Sequence, residues 1–106
     1  MRSKTLKIKP LVLYYDDPDK KLQDILDENP LVMSKEIINK VCYAIDNELE
    51  TILIAEIRNP IEKLSIICKR DYYLETLNTN LKRLIEAEEY KICAKAKKYI
   101  SILELQ

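Results

Sequence analysis

The chain contains no glycine and no histidine. Phosphate-cradling loops, nucleophile elbows and dinucleotide fingerprints all use backbone positions that glycine serves best, so the usual parts for holding a nucleotide are missing. Without histidine, His-ligated zinc sites and histidine general acid–base catalysis are excluded. Cysteine is sparse: Cys42, Cys68 and Cys93 stand 26 and 25 residues apart. An odd count with no CxxC pair argues against a disulfide framework and against structural zinc. These cysteines read as small buried hydrophobes in a reducing compartment. Charge of one sign is also lacking, since 18 Lys and Arg balance 18 Asp and Glu. The molecule as a whole therefore has no electrostatic bias toward nucleic acid or an anionic membrane. No apolar run approaches the roughly 18 residues of a membrane span. The opening MRSKTLKIKPLVLYYDD has no long apolar core or small-residue cleavage site, so a secretory signal is not expected.

What is present suits one α+β domain of 106 residues. Residues 5–15, TLKIKPLVLYY, look extended, and Pro10 makes them an edge strand or two short pieces. In DDPDKKLQDILDENP, Asp17 fits a helix N-cap with Pro18 at the first helical position, and Pro30 bars continuation. A second helix is expected over about 34–49, where Ile37, Ile38, Val41, Cys42, Ala44, Ile45 and Leu49 recur at helical spacing. Its apolar arc is broad enough to lie on a sheet, with Lys35, Asn39, Lys40 and Asn47 mostly outside.

ETILIAEI and KLSIICKR, about 50–57 and 63–70, are the clearest strands, and Asn59-Pro60 between them signals a hairpin turn. Strict alternation puts Ile52, Ile54 and Glu56 on one face and Leu53, Ala55 and Ile57 on the other, so this strand reads as covered on both sides. In its partner, Leu64, Ile66 and Cys68 oppose Ser65, Ile67 and Lys69. Asp71 is placed to cap a helix carrying the stripe Leu74, Leu77, Leu81, Leu84 and Ile85. A final helix spans about 90–103, with Ile92, Ala96, Tyr99 and Leu103 clustered and Cys93, Ile100 and Ile102 beside them. That arc is wider than one neighbouring helix needs, so this helix should touch two surfaces. The expected fold is thus a small sheet, a helix, and a C-terminal antiparallel helical hairpin over about 71–103.

Residues 74–103 resemble the UVR motif, the short helical hairpin of the excinuclease B and C subunits. The resemblance rests on Leu74, Leu77 and Leu81, then Glu88-Glu89-Tyr90, then Cys93-Ala94, then Ile100 and Leu103. It departs where Lys97-Lys98 replaces the family's Arg-Asp and where Cys93 replaces an alanine. The excinuclease helicase motifs are absent, so the resemblance implies protein–protein contact rather than repair chemistry.

Several candidate sites compete with plainer readings. Cys93 lies near a helix start among Lys91, Lys95, Lys97 and Lys98, which mildly favours a reactive thiol, yet its apolar arc favours packing. The acids Asp16, Asp17, Asp19, Asp24, Asp27 and Glu28 lack the alternation and sharp turn of a calcium loop and fit capping and solubility. Tyr14-Tyr15 and Tyr72-Tyr73 each offer one side chain that could serve as an exposed interface aromatic. No catalytic residue, metal ligand or cofactor is assigned.

The expected function is that of a small intracellular adaptor, phage- or bacterium-encoded by its Ile-, Lys- and Asn-rich composition. It would bind another protein or a second copy of itself, as a regulator, inhibitor or assembly subunit. The expected interface is Leu74, Leu77, Leu81, Leu84, Tyr90, Ile92, Tyr99, Ile102 and Leu103, most simply in a homodimer built on the hairpin. It is expected in the cytoplasm, in a host's cytoplasm or in a virion. The alternative is a nucleic-acid-binding accessory using Lys4, Lys7, Lys9, Lys91, Lys95 and Lys98.

Overall fold

The computed structural model describes residues 8–106, and the expectations for Leu6, Lys4 and Lys7 fall outside them. Three strands form one mixed sheet in the order β1-β2-β3: β1 (Leu11–Tyr14), β2 (Thr51–Arg58) and β3 (Lys63–Lys69). β1 runs parallel to β2 with Leu11 beside Ala55, and β3 runs antiparallel with Thr51 beside Lys69. The parallel pair is joined by a crossover through α1 (Leu22–Asp27) and α2 (Pro30–Asp46). After β3 a 3-10 turn, Arg70–Tyr72, leads into α3 (Tyr73–Glu86) and then α4 (Tyr90–Glu104). The architecture is the α+β arrangement expected, with β1 as an edge strand and a C-terminal helical pair.

Four local expectations are corrected. Pro30 does not merely end α1; it opens α2 four residues before Ser34, because the first helical position needs no N–H donor. Asp17 caps no helix: its carboxylate accepts from the Asp19 N–H (2.9 Å) in a turn, and α1 begins only at Leu22. Asp71 makes no side-chain cap either, being taken up in the 3-10 turn. Lys40, expected outside, is 2 % exposed, its ammonium bonded to Glu36 one turn earlier.

The fifth correction shapes the core. The register of β2 against β3 slips between Leu53 and Ala55, a β-bulge at Ile54. Leu53 faces Ile67, yet Ala55 faces Ile66, so the extra residue lets Ile52, Ile54, Ala55 and Ile57 all turn inward. Leu53, Glu56 and Arg58 are left on the opposite face, which no described helix covers. The strand is therefore covered on one side only. Its inner face meets α2 through Ile38, Val41 and Cys42, and the core continues into α3 and α4 through Tyr73, Leu77, Leu84, Cys93, Ala96 and Ile100.

Missing glycine has a visible consequence at two helix ends. α2 and α3 each close with a left-handed residue, Glu48 (φ 53°) and Glu88 (φ 59°). In each the next amide reaches back to the third-last helical carbonyl, Leu49 N–H to Ala44 and Glu89 N–H to Leu84, both at 2.9 Å. These are Schellman closures, normally built on glycine because a Cβ is disfavoured at that φ. The second folds α4 back along α3, and α4 then lies parallel to α2. Lys35–Glu89 (3.0 Å), Lys95–Asn39 (2.9 Å) and Tyr99–Asp46 (2.7 Å) tie α4 and its approach to α2 along its length. The final helix touches two helices, as its wide arc requires. Among the described residues no helix is long and apolar enough to cross a membrane.

Candidate protein contact surface

Asn59 organises the turn between β2 and β3. Its carboxamide oxygen accepts from the Ile61 (2.9 Å) and Glu62 (2.7 Å) amides, and its NH2 donates to the Lys20 carbonyl (2.8 Å). The turn thereby sets β3 going and is pinned to the loop before α1. Along β3, the Asn59 N–H bonds the Glu62 carbonyl at one end and the Arg70 N–H bonds the Glu50 carbonyl at the other. In an antiparallel ladder inward and outward backbone groups alternate. Even-numbered residues 62 to 70 therefore bond to β2, and the backbones of Lys63, Ser65 and Ile67 turn outward. No described strand lies against them.

Side chains at this edge are unusually apolar for a free strand. Ile67 is 59 % exposed on the bare face of the sheet, and Leu64 is exposed on the inner face, past the reach of the helices. Beside the strand, Tyr72 projects from the 3-10 turn with 56 % of its surface open, while Tyr73 is buried and donates to the Leu49 carbonyl at 2.9 Å. Between these elements runs an open groove of about 460 Å3, floored by Ile37, Ile54, Ile66 and Cys68 and rimmed by Tyr72, Glu75 and Lys69. The groove combines apolar walls with an unpaired strand edge, which is what an extended polypeptide needs for docking.

On the bare face, Glu56 holds Arg58, and Lys63 stands 4.0 Å away. The Arg58 hydrogen bond keeps the Glu56 carboxyl below the usual glutamate range. This charged group separates Val12 and Tyr14 on β1 from the Leu53–Ile67 pair, so the exposed apolar area divides in two.

The residues expected at an interface distribute differently. Leu77, Leu84 and Tyr99 are buried; Leu74, Leu81, Ile92 and Leu103 are partly buried against the core; only Tyr90 and Ile102 are exposed. α2 supplies the cover: its broad arc meets both helices of the hairpin. As a contact surface the expected stripe is thus largely spent inside the protomer. Of the candidate lysines, Lys4 and Lys7 lie outside the described residues. Lys9 is exposed beside β1, far along the chain from α4, where Lys91 and Lys98 are exposed and Lys95 donates to Asn39. The Lys98 ammonium sits 5.8 Å from the Tyr99 ring centroid.

The three thiols are buried and free. Burial pushes the Cys42 thiol up to about 11, and raises Cys68 as well, against a lowering contact with the Thr76 hydroxyl. Both are thereby held protonated at neutral pH, away from nucleophilic chemistry. The acidic stretch 16–28 is spread over a loop and α1, with Glu28 drawn to Lys20 and to Tyr15 (3.2 Å). Among the described residues no group of acids and cysteines is placed to hold a metal ion.

Tyr72 is the exposed member of the Tyr72-Tyr73 pair in which the sequence offers one interface aromatic, whereas Ile37, Ile66 and Ile67 carry no contact role in the sequence reading. A signal existed in KLSIICK, whose strict alternation must place Ile67 opposite the core-facing Leu64, Ile66 and Cys68. No protein-family model, curated protein or solved structure matches the chain.

Proposed function

We propose that the chain is a non-catalytic adaptor that works by holding another polypeptide against β3 and the groove beside it, as a regulator, an inhibitor or an assembly subunit. The observation that carries this reading is the open backbone of Lys63, Ser65 and Ile67 alongside the exposed side chains of Ile67, Leu64 and Tyr72. Main-chain bonds to such an edge supply affinity, and the flanking pocket supplies choice of side chain. Buried aromatic anchors dominate interface energetics, and Tyr72 is placed to become one. Three free, buried thiols suit a reducing cytoplasm. The UVR resemblance also implies protein contact, but the groove offers more open surface for it than the hairpin stripe.

The test is paired affinity capture from the cells in which the protein is made, with the native chain and a Tyr72→Asp variant as baits. Tyr72 is exposed, so the variant is expected to keep its circular dichroism and melting profile. Proteins retained by the native bait and lost from Tyr72→Asp support the reading. Retention that ignores Tyr72, or that vanishes on nuclease treatment or with Lys91, Lys95 and Lys98 changed to Glu, overturns it; the latter pair of results would favour nucleic-acid binding through α4.

A further inference from the structure

We propose that the first occupant of the β3 edge is a second copy of this chain, paired β3 to β3 about a two-fold axis through Ser65, joining two three-stranded sheets into one continuous sheet. The inference rests on the contact reading above and adds to it the partner and the register.

A two-fold pairing of like strands is antiparallel, and outward-turned residues must meet outward-turned residues for their N–H and C=O groups to bond. Lys63, Ser65, Ile67 and Lys69 lie on that phase, which leaves three registers that pair most of β3. Centring on Ile66 places Lys63 against the partner's Lys69 twice, and like charges directly opposed destabilise a sheet. Centring on Ile67 sets Leu64 against the partner's Arg70, at the 3-10 turn where the strand has ended. Centring on Ser65 opposes no like charges. It brings Leu64 against the partner's Ile66 on the inner face, twice, and lays Ile67 along the partner's Lys63 stem on the bare face. The smallest side chain of the strand falls on the axis, where each residue faces its own counterpart. Charge and bulk along KLSIICK thus select one register of the three.

Two other features agree with it. Leu64 and Ile66 are the inner-face residues of β3 that the helices leave incompletely covered, and this register covers them with one another across the axis. Lys63 and Lys69 at the strand ends act as guards that penalise the slipped pairing while tolerating this one. Arg70, tied to Glu50 at 2.9 Å, lies outside the paired segment and is free of the contact.

Cross-linking tests it directly in the full chain. Directly opposed, hydrogen-bonded residues have Cα atoms about 5.5 Å apart, within disulfide reach. The native thiols are buried, so a Ser65→Cys variant carries one accessible thiol and is expected to convert mostly to a covalent dimer under mild oxidation. Lys63→Cys and Ile67→Cys variants, whose equivalents lie two positions either side of the axis, are expected to cross-link poorly. Sedimentation supplies a second, thiol-free measurement. Ile67→Lys opposes two pairs of lysines and is expected to weaken dimerisation roughly five- to tenfold, whereas Ile67→Glu faces Lys63 and holds or tightens it. A native chain that stays monomeric at high micromolar concentration, or an Ile67→Cys variant that cross-links faster than Ser65→Cys, overturns the pairing. Tyr72-dependent capture of a foreign protein by a monomer would leave the adaptor reading standing while this proposal fell.

Discussion

Truncating Leu84 to alanine separates a core role for the C-terminal hairpin from an interface role. Leu84 is fully buried, its carbonyl accepts the Glu89 N–H in α3's Schellman closure, and its side chain belongs to the core cluster. Removing its buried methyl and methylene groups forfeits transfer energy of roughly 0.8 kcal/mol per group. A residual cavity adds to that, for a total loss of about 3–4 kcal/mol. For a chain of this size, with about 5–15 kcal/mol in hand, the loss lowers Tm by roughly 15–25 °C. Urea unfolding followed by circular dichroism gives the difference directly, with an unchanged denaturant slope showing that the two-state comparison holds. Tyr90→Ala and Ile102→Ala, at exposed positions of the same hairpin, are expected within about 0.5 kcal/mol of the native chain. A Leu84→Ala loss below about 1 kcal/mol, accompanied by weakened self-association, would refute the burial argument and return the stripe to an interface.

The remaining predictions concern the ends, the turn and the titrating groups. Glu48→Gly and Glu88→Gly, at the two left-handed closures, are each expected to raise stability by roughly 0.5–1 kcal/mol, because the Cβ penalty outweighs the entropy glycine loses; thermal melts of each and of the pair check both size and additivity. Asn59→Ala strips three hydrogen bonds from the β2–β3 turn and should cost about 2–4 kcal/mol, whereas Asn59→Asp keeps the two accepted bonds and should cost less in the same urea assay. Tyr73 and Tyr99 are both pushed up to about 12, the first by burial and the second chiefly by its bond to Asp46. Their unfolded counterparts ionise near 10, so their contribution is complete below that pH and is lost as pH rises through 12. Ultraviolet difference titration should show two late phenols, and Tyr99→Phe should leave one.

The parts of the fold that obey local periodicity were legible: the β2–β3 hairpin from its β-branched runs and Asn59-Pro60, the two C-terminal helices, the buried cysteines, and one buried and one open tyrosine at Tyr72-Tyr73. Where the structure differs from local periodicity, the deciding contacts lie beyond apolar spacing: in another element at Pro30 and at the bulge, and in a same-helix ion pair at Lys40. Pro30 signals a helix stop and a helix start equally well, and the packing of Met33, Ile38 and Val41 beyond it makes the choice. Lys40 lies inside because its ammonium reaches Glu36 along the same helix while its stem packs, an option that outside-or-inside counting ignores. The bulge at Ile54 is invisible to a period-two reading, since TILIAEIR alternates acceptably without it. Only the sheet's bare side shows why it is there: shifting Glu56 and Arg58 to solvent requires Ala55 to turn inward with Ile54.

The hairpin's apolar arc is no surplus within the protomer. α2 has a broad arc of its own, and the two arcs answer each other, so the surplus cancels within the protomer. β3 has no such counterpart. The bulge belongs to β2 alone, which lets β2 turn four apolar residues toward the helices while β3 keeps strict alternation. With Leu64, Ile66 and Cys68 committed to the inner face, Ile67 has nowhere to go but the bare one. The device that completes the core on the middle strand thereby leaves an isoleucine exposed on the edge strand, next to an outward backbone and an open groove. Core formation explains every other isoleucine of β2 and β3; it does not explain Ile67, the position on which the proposed contact rests.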